Sequence, residues 1–123
     1  MVLAKKLISY QTHKYDDTPY SGEVIDGVRV IQIDMQQFSF DPGIVKVKKG
    51  ERVRLILRSL DVPHGFEIHG VDLGGYDITT RIRRGFPVTI EFVAGDPGVF
   101  EIVCSVYCGF GHSGMKAVFI VDG

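Results

Sequence analysis

Between Cys104 and Met115 the chain reads Cys-Ser-Val-Tyr-Cys-Gly-Phe-Gly-His-Ser-Gly-Met, which gathers two thiols, one imidazole and one thioether within twelve residues. Apart from Met1 and Met35, all the sulfur of the protein lies here. Thiolate, imidazole and thioether together make a soft donor set that favours copper over hard cations such as magnesium or calcium. Taken singly, Met115 beside Ala117 and Val118 reads as core filler, and His112 as a hydrogen-bonded core histidine. Their joint spacing weighs the other way. Cys108-x3-His112-x2-Met115 has the pattern of a mononuclear blue-copper loop, in which Cys and His bind strongly and Met weakly along an axis. Cys104 is one sulfur more than such a site needs. A disulfide between Cys104 and Cys108 would close so short a loop that it gains little chain entropy, so the pair reads as ligands rather than as a staple.

A loop of this kind needs rigid flanks. Val99 to Val103 precedes it and Ala117 to Val121 follows it, both rich in β-branched and aromatic residues, and both predicted as strands. Further strands are predicted over Val28–Phe40, Ile44–Val47, Arg52–Arg58, Phe66–Ile68 and Val88–Phe92, separated by turn clusters such as Asp41-Pro42-Gly43, Lys49-Gly50 and Gly95-Asp96-Pro97-Gly98. In Arg52–Arg58, Val53, Leu55 and Leu57 share one face and the arginines mostly supply the other, the mark of a strand with one buried side. No segment sustains an apolar period near 3.6. The expected fold is therefore all-β, an antiparallel β-sandwich with the sulfur-rich loop at one end.

The chain has 123 residues, 45% of them apolar, with 14 basic and 15 acidic residues. That is enough for one hydrophobic core and not for two. The expected organisation is an N-terminal tether or edge segment over residues 1–25, followed by a single domain over 26–123. A formal net charge of −1 without a long block of either sign gives no reason to expect nucleic acid as a partner. No apolar run approaches the roughly 20 residues that span a bilayer. Met1–Tyr10 carries its lysines mid-segment, unlike a signal peptide. The membrane is then reached only through a larger complex or an N-terminal anchor outside this sequence.

The loop resembles the binuclear copper (CuA) domain of cytochrome c oxidase subunit II, also found in nitrous oxide reductase, whose signature is Cys-x3-Cys-x3-His-x2-Met. Cys104, Cys108, His112 and Met115 supply every position of it. The family takes a further histidine from an upstream stretch reading Asp-Val-x-His, a small residue and Phe, matched here by Asp61-Val62-Pro63-His64-Gly65-Phe66. The resemblance runs from about Phe38 to Val121. It implies a cupredoxin-like Greek-key sandwich holding two copper ions, both bridged by the thiolates of Cys104 and Cys108. One ion is completed by His64 and Met115, the other by His112 and the backbone carbonyl of Val106.

Val106 stands where many oxidase subunits carry a carboxylate that helps bind a second, non-redox metal. The chain also lacks the family's tryptophan for electron entry, leaving Phe38, Phe40 or Phe110 to cover the metal edge. These departures resemble divergent bacterial and archaeal oxidases. An odd offset from His64 places His69 on the opposite face of a strand, at the surface, and His13 is assigned no role. Asp61 reads equally as a turn former and as a hydrogen-bond support for the His64 loop.

The function implied is electron transfer, from a c-type cytochrome or a small copper protein to the catalytic subunit of a terminal oxidase, on the extracytoplasmic side. By itself the domain makes and breaks no bonds; enzyme activity belongs to the assembled oxidoreductase. The alternatives are a stand-alone mononuclear cupredoxin, a copper chaperone, or the copper domain of a nitrous oxide reductase-like protein. A structural zinc site on Cys104, Cys108, His112 and His64 is the competing metal reading, and it leaves Met115 without a purpose. A thiol enzyme would need neither the second thiol nor the thioether.

Overall fold

A computed structural model describes residues 14–123. Among them nine strands form: β1 (Glu23–Ile25), β2 (Val28–Gln36), β3 (Ser39–Asp41), β4 (Ile44–Lys48), β5 (Arg52–Ser59), β6 (Glu67–Ile68), β7 (Val88–Val93), β8 (Gly98–Val103) and β9 (Lys116–Asp122). Among the described residues the one helical element is a 3₁₀ turn at His112–Gly114, and none of their helices is long and apolar enough to cross a membrane.

The alternation read from the sequence is what builds the two sheets. Ile31, Ile33 and Met35 of β2, Val53, Leu55 and Leu57 of β5, and Ile90 and Phe92 of β7 turn inward and are buried. Burying one such side chain is worth about 1.5–3 kcal/mol. The first sheet runs β1-β2-β5-β7, with β3 also paired to β2, and the second runs β4-β9-β8-β6. Phe92 meets Phe119 across the core at a centroid distance of 5.9 Å. Nearer the sulfur-rich loop, Phe40 stands edge-on to Phe66 at 6.2 Å.

Three differences from expectation matter. First, the sheets are mixed rather than wholly antiparallel: β2 pairs parallel with β5, and β4 parallel with β9. The chain leaves β2, crosses to the other sheet as β4 and returns as β5, so it comes back in its original direction. Side-chain alternation fixes which face is buried and carries no information on a neighbour's direction. Second, the run expected as one strand over Val28–Phe40 is a hairpin, with Gln36 opposite Ser39 and Gln37-Phe38 as its turn. No Gly, Pro, Asn or Asp marks that turn. It is held from outside, the Gln37 backbone N–H donating to Asp61 Oδ2 at 2.8 Å. Third, β1 pairs with β2 through an Asp26-Gly27 turn in which both residues have positive φ. Of the expected tether over 1–25, residues 1–13, including His13, lie outside the described residues.

Candidate metal centre

Two loops and one turn meet at the same end of the sandwich. The β8–β9 loop carries Cys104, Cys108, His112 and Met115, the segment after β5 carries Asp61 and His64, and the β2–β3 turn braces both. Gln37 Nε2 donates to the Cys108 carbonyl at 2.9 Å while its backbone N–H is held by Asp61. Phe38 covers the loop: a Cβ added at Gly111 would fall 2.3 Å from its ring, so only glycine lets the loop pass beneath it. Gly65 has a similar role on the other side. A Cβ there would lie 2.6 Å from Val106 N and 2.4 Å from Ser105 Oγ.

The donor atoms converge. The two Sγ atoms lie 3.2 Å apart, both as free, buried thiols. Ligand atoms of His64, Cys104 and Cys108 all lie within 4.8 Å of one another. Around the sulfur pair stand the Val106 carbonyl, 3.1 Å from Cys104 Sγ, His112 Nδ1, 3.5 Å from Cys108 Sγ, and Met115 Sδ, 3.8 Å from Cys108 Sγ. Met115 is 1% exposed and His64 wholly buried, so water reaches neither. His69 lies apart and exposed, beside Glu67 and Glu101 at 3.7 Å each.

The backbone of His64 is pinned by two hydrogen bonds with Ile82, its N–H donating to the Ile82 carbonyl at 3.0 Å and its carbonyl accepting at 2.7 Å. Its ring Nε2 lies 2.7 Å from Asp61 Oδ1. That leaves Nδ1 buried with no hydrogen-bond partner. Such orphans are rare, because an unpartnered buried polar atom costs about 1–3 kcal/mol. With Nε2 held by Asp61, Nδ1 is the ring nitrogen left for a metal beside the two sulfurs.

Charge at the site points the same way. Burial opposes ionisation of Cys104, but the neighbouring His64 ring, the Gly65 N–H and the Cys108 thiol overcome it and pull the thiol down to about 6. Cys108 is pushed up to about 12, by burial and by the ionised Cys104 beside it. Burial alone would lower His64; the Cys104 sulfur and the Asp61 carboxylate reverse that and hold it up. Two sulfurs this close cannot both carry negative charge without a cation to share. The donors present, two thiols, two imidazoles, a thioether and a carbonyl, suit a soft metal such as copper.

Comparison with known proteins follows the same line. The model of the cupredoxin-like domain matches residues 4–121. The chain belongs to the cupredoxin-like family. This cupredoxin is 30% identical over 84 residues to cytochrome c oxidase subunit 2 of Thermus thermophilus, a match covering 68% of this chain and 58% of that subunit. It is 31% identical over 121 residues to quinol oxidase subunit 2 of Sulfolobus acidocaldarius, covering 98% of this chain and 70% of the relative. The chain thus spans less than two thirds of the Thermus subunit. A solved heme-copper terminal oxidase dimer contains a chain with the same fold, at 24% identity and a TM-score of 0.67, covering 98% of this chain and 92% of that one. The resemblance to oxidase subunit II read from the signature therefore stands.

Gln37, Gly65 and Ile82 support the cupredoxin's donor set and carry no ligand signature. They act by a turn, a close approach and a backbone pair, none of which leaves a local pattern. Asp61 was legible as a candidate support, and the structure puts its carboxylate on the His64 ring. Of the aromatics considered for the metal edge, Phe38 lies over the loop, Phe40 is in the core and Phe110 is fully exposed. Tyr107, not singled out from sequence, packs against His112 at a centroid distance of 5.8 Å.

Proposed function

We propose that this cupredoxin is an electron-transfer domain holding a binuclear copper centre. Cys104 and Cys108 would hold both ions, with His64 and Met115 as further donors to one and His112 and the Val106 carbonyl as further donors to the other. The observation that carries this reading is the partnerless, fully buried Nδ1 of His64 beside two free sulfurs 3.2 Å apart. A mononuclear site leaves Cys104 unused, and a chaperone needs thiols that a partner can reach, whereas both cysteines here are buried. When bound, two copper ions held by these donors would supply a one-electron redox centre whose charge change is spread over both ions.

The protein's own part is to hold that donor set fixed. Asp61 fixes the His64 ring, the Ile82 pair fixes its backbone, and Phe38 and Met115 keep water from the sulfurs. With oxidase subunits as relatives, the electron passes from a cytochrome c or a small copper protein to the catalytic subunit of a terminal oxidase. The domain then faces the extracytoplasmic side.

A ligand series tests the assignment. Cys104→Ser and Cys108→Ser each lose the two-copper site, because each thiolate serves both ions. Met115→Leu keeps the metals and shifts the reduction potential, since the thioether is a weak axial donor. His64→Ala alters the copper spectrum and His69→Ala leaves it intact. Loss of copper in Met115→Leu with an unchanged spectrum in Cys104→Ser contradicts the assignment.

A further inference from the structure

Ile82, the buried partner of His64, opens a segment whose other residues all face solvent. Arg83 pairs with Phe86 across a tight turn at Gly85, which has positive φ, and a Cβ added at Gly85 would meet nothing within 4 Å. The tip therefore stands clear of the body while its base is fixed to the metal-ligand loop by backbone hydrogen bonds. It carries Phe86, 73% exposed, and the sequence Arg81-Ile82-Arg83-Arg84. Three of the four strand arginines are matched to carboxylates, Arg29 to Glu51, Arg54 to Glu91 and Arg58 to Asp34, and the fourth, Arg52, lies at the start of β5. Among the described residues, Arg81, Arg83 and Arg84 form no ion pair. Three nearby carboxylates are committed elsewhere: Asp61 to His64 and the Gln37 N–H, Asp77 to Thr79, Asp34 to Arg58. Between the hairpin and the end of β5 lies an open hollow of about 430 Å³, with Leu60, itself 43% exposed, on one wall and Arg83, Arg84 and Pro87 on the other.

An exposed Phe forgoes about 1.5–3 kcal/mol of burial, and unpaired arginines around it project a positive field. Charges left unpaired at a rim speed encounter with an oppositely charged partner more than they hold it. A permanent subunit interface is instead larger and more apolar. We propose that the Arg83–Phe86 hairpin and the hollow it shares with Leu60 are the docking face for the electron donor, and that this donor is a small protein whose contact patch is apolar and rimmed by carboxylates. The proposal rests on the electron-transfer reading above. It gives the donor a short path: contact at the hairpin is one residue from Ile82, whose backbone is hydrogen-bonded to His64.

Two measurements on the full chain test it. Paramagnetic hexacyanochromate(III), added to the reduced, isotope-labelled protein, is expected to broaden the amide signals of residues 81–86 and Leu60. Broadening confined to the lysines of β4, or none at all, overturns the docking face. In stopped-flow reduction of the copper-loaded chain, a small acidic blue-copper protein is expected to react faster than a small basic cytochrome c, with a rate that falls as salt rises. The R83E/R84E double variant, with its copper spectrum unchanged, is expected to lower that rate about tenfold or more at low salt and to converge with wild type at high salt. Phe86→Ala is expected to slow it at every salt concentration. A faster basic donor, or a double variant without effect, overturns the proposal and leaves the electron-transfer reading standing. If neither donor reduces the chain, the electron-transfer reading falls and the proposal with it.

Discussion

At His64 the two ring nitrogens have different tasks: Nε2 is tied to Asp61, and Nδ1 is buried without a well-formed hydrogen bond in a ring that stands beside the sulfurs. A carboxylate on Nε2 favours the tautomer with its proton there and fixes the ring angle, which leaves Nδ1 as the nitrogen available to a metal. Asp61→Asn keeps the size and loses the charge, so it is expected to weaken copper binding about 10–100-fold, measured by competition with a chelator of known affinity. Unchanged affinity would make Asp61 a turn former only. The candidate donors themselves were legible in the sequence, because Cys104, Cys108, His112 and Met115 sit in one short loop. Asp61 was only half legible, since Asp before a Pro-containing turn has a purely local use as well, and here it does both: Oδ1 also accepts the Val62 N–H at 2.7 Å.

Among the elements, the β8–β9 loop is shaped by what presses on it from the β2–β3 turn and from the His64 segment. Gly65 is where that pressure is greatest. Gly65→Ala puts a methyl group against the Val106 and Ser105 backbone, which cannot swing aside as a side chain can. The expected cost is about 1–3 kcal/mol, seen as a fall of several degrees in melting temperature together with a disturbed copper spectrum. A variant with wild-type stability and spectrum would show that the loops do not pack as described. Strand alternation in β2, β5 and β7 could be read from the sequence because period-two burial is local. The Gln37-Phe38 turn could not, since its hydrogen bonds come from Asp61 and from the Cys108 carbonyl, both distant in sequence.

For the whole molecule, the question is whether metal or core holds the fold. The core runs unbroken through both sheets, from Ile33, Leu55 and Leu57 to Phe66, Ile102 and Phe119, and the parallel β2–β5 and β4–β9 pairs lock the crossovers. Those pairings escaped sequence reading because direction is a property of the path between strands. A core of this extent predicts that chelating the copper leaves the far-ultraviolet circular dichroism unchanged while lowering the melting temperature. Ligand linkage is worth about 2.7 kcal/mol when free metal exceeds its dissociation constant a hundredfold. Unfolding on chelation would show that the metal is needed for the sandwich itself. The measurement that bears most directly on the centre is paramagnetic resonance of the oxidised, copper-loaded protein, combined with metal analysis. A shared-thiolate site predicts two coppers per chain and one unpaired electron split equally by two copper nuclei. One copper per chain with the splitting of a single nucleus would contradict it.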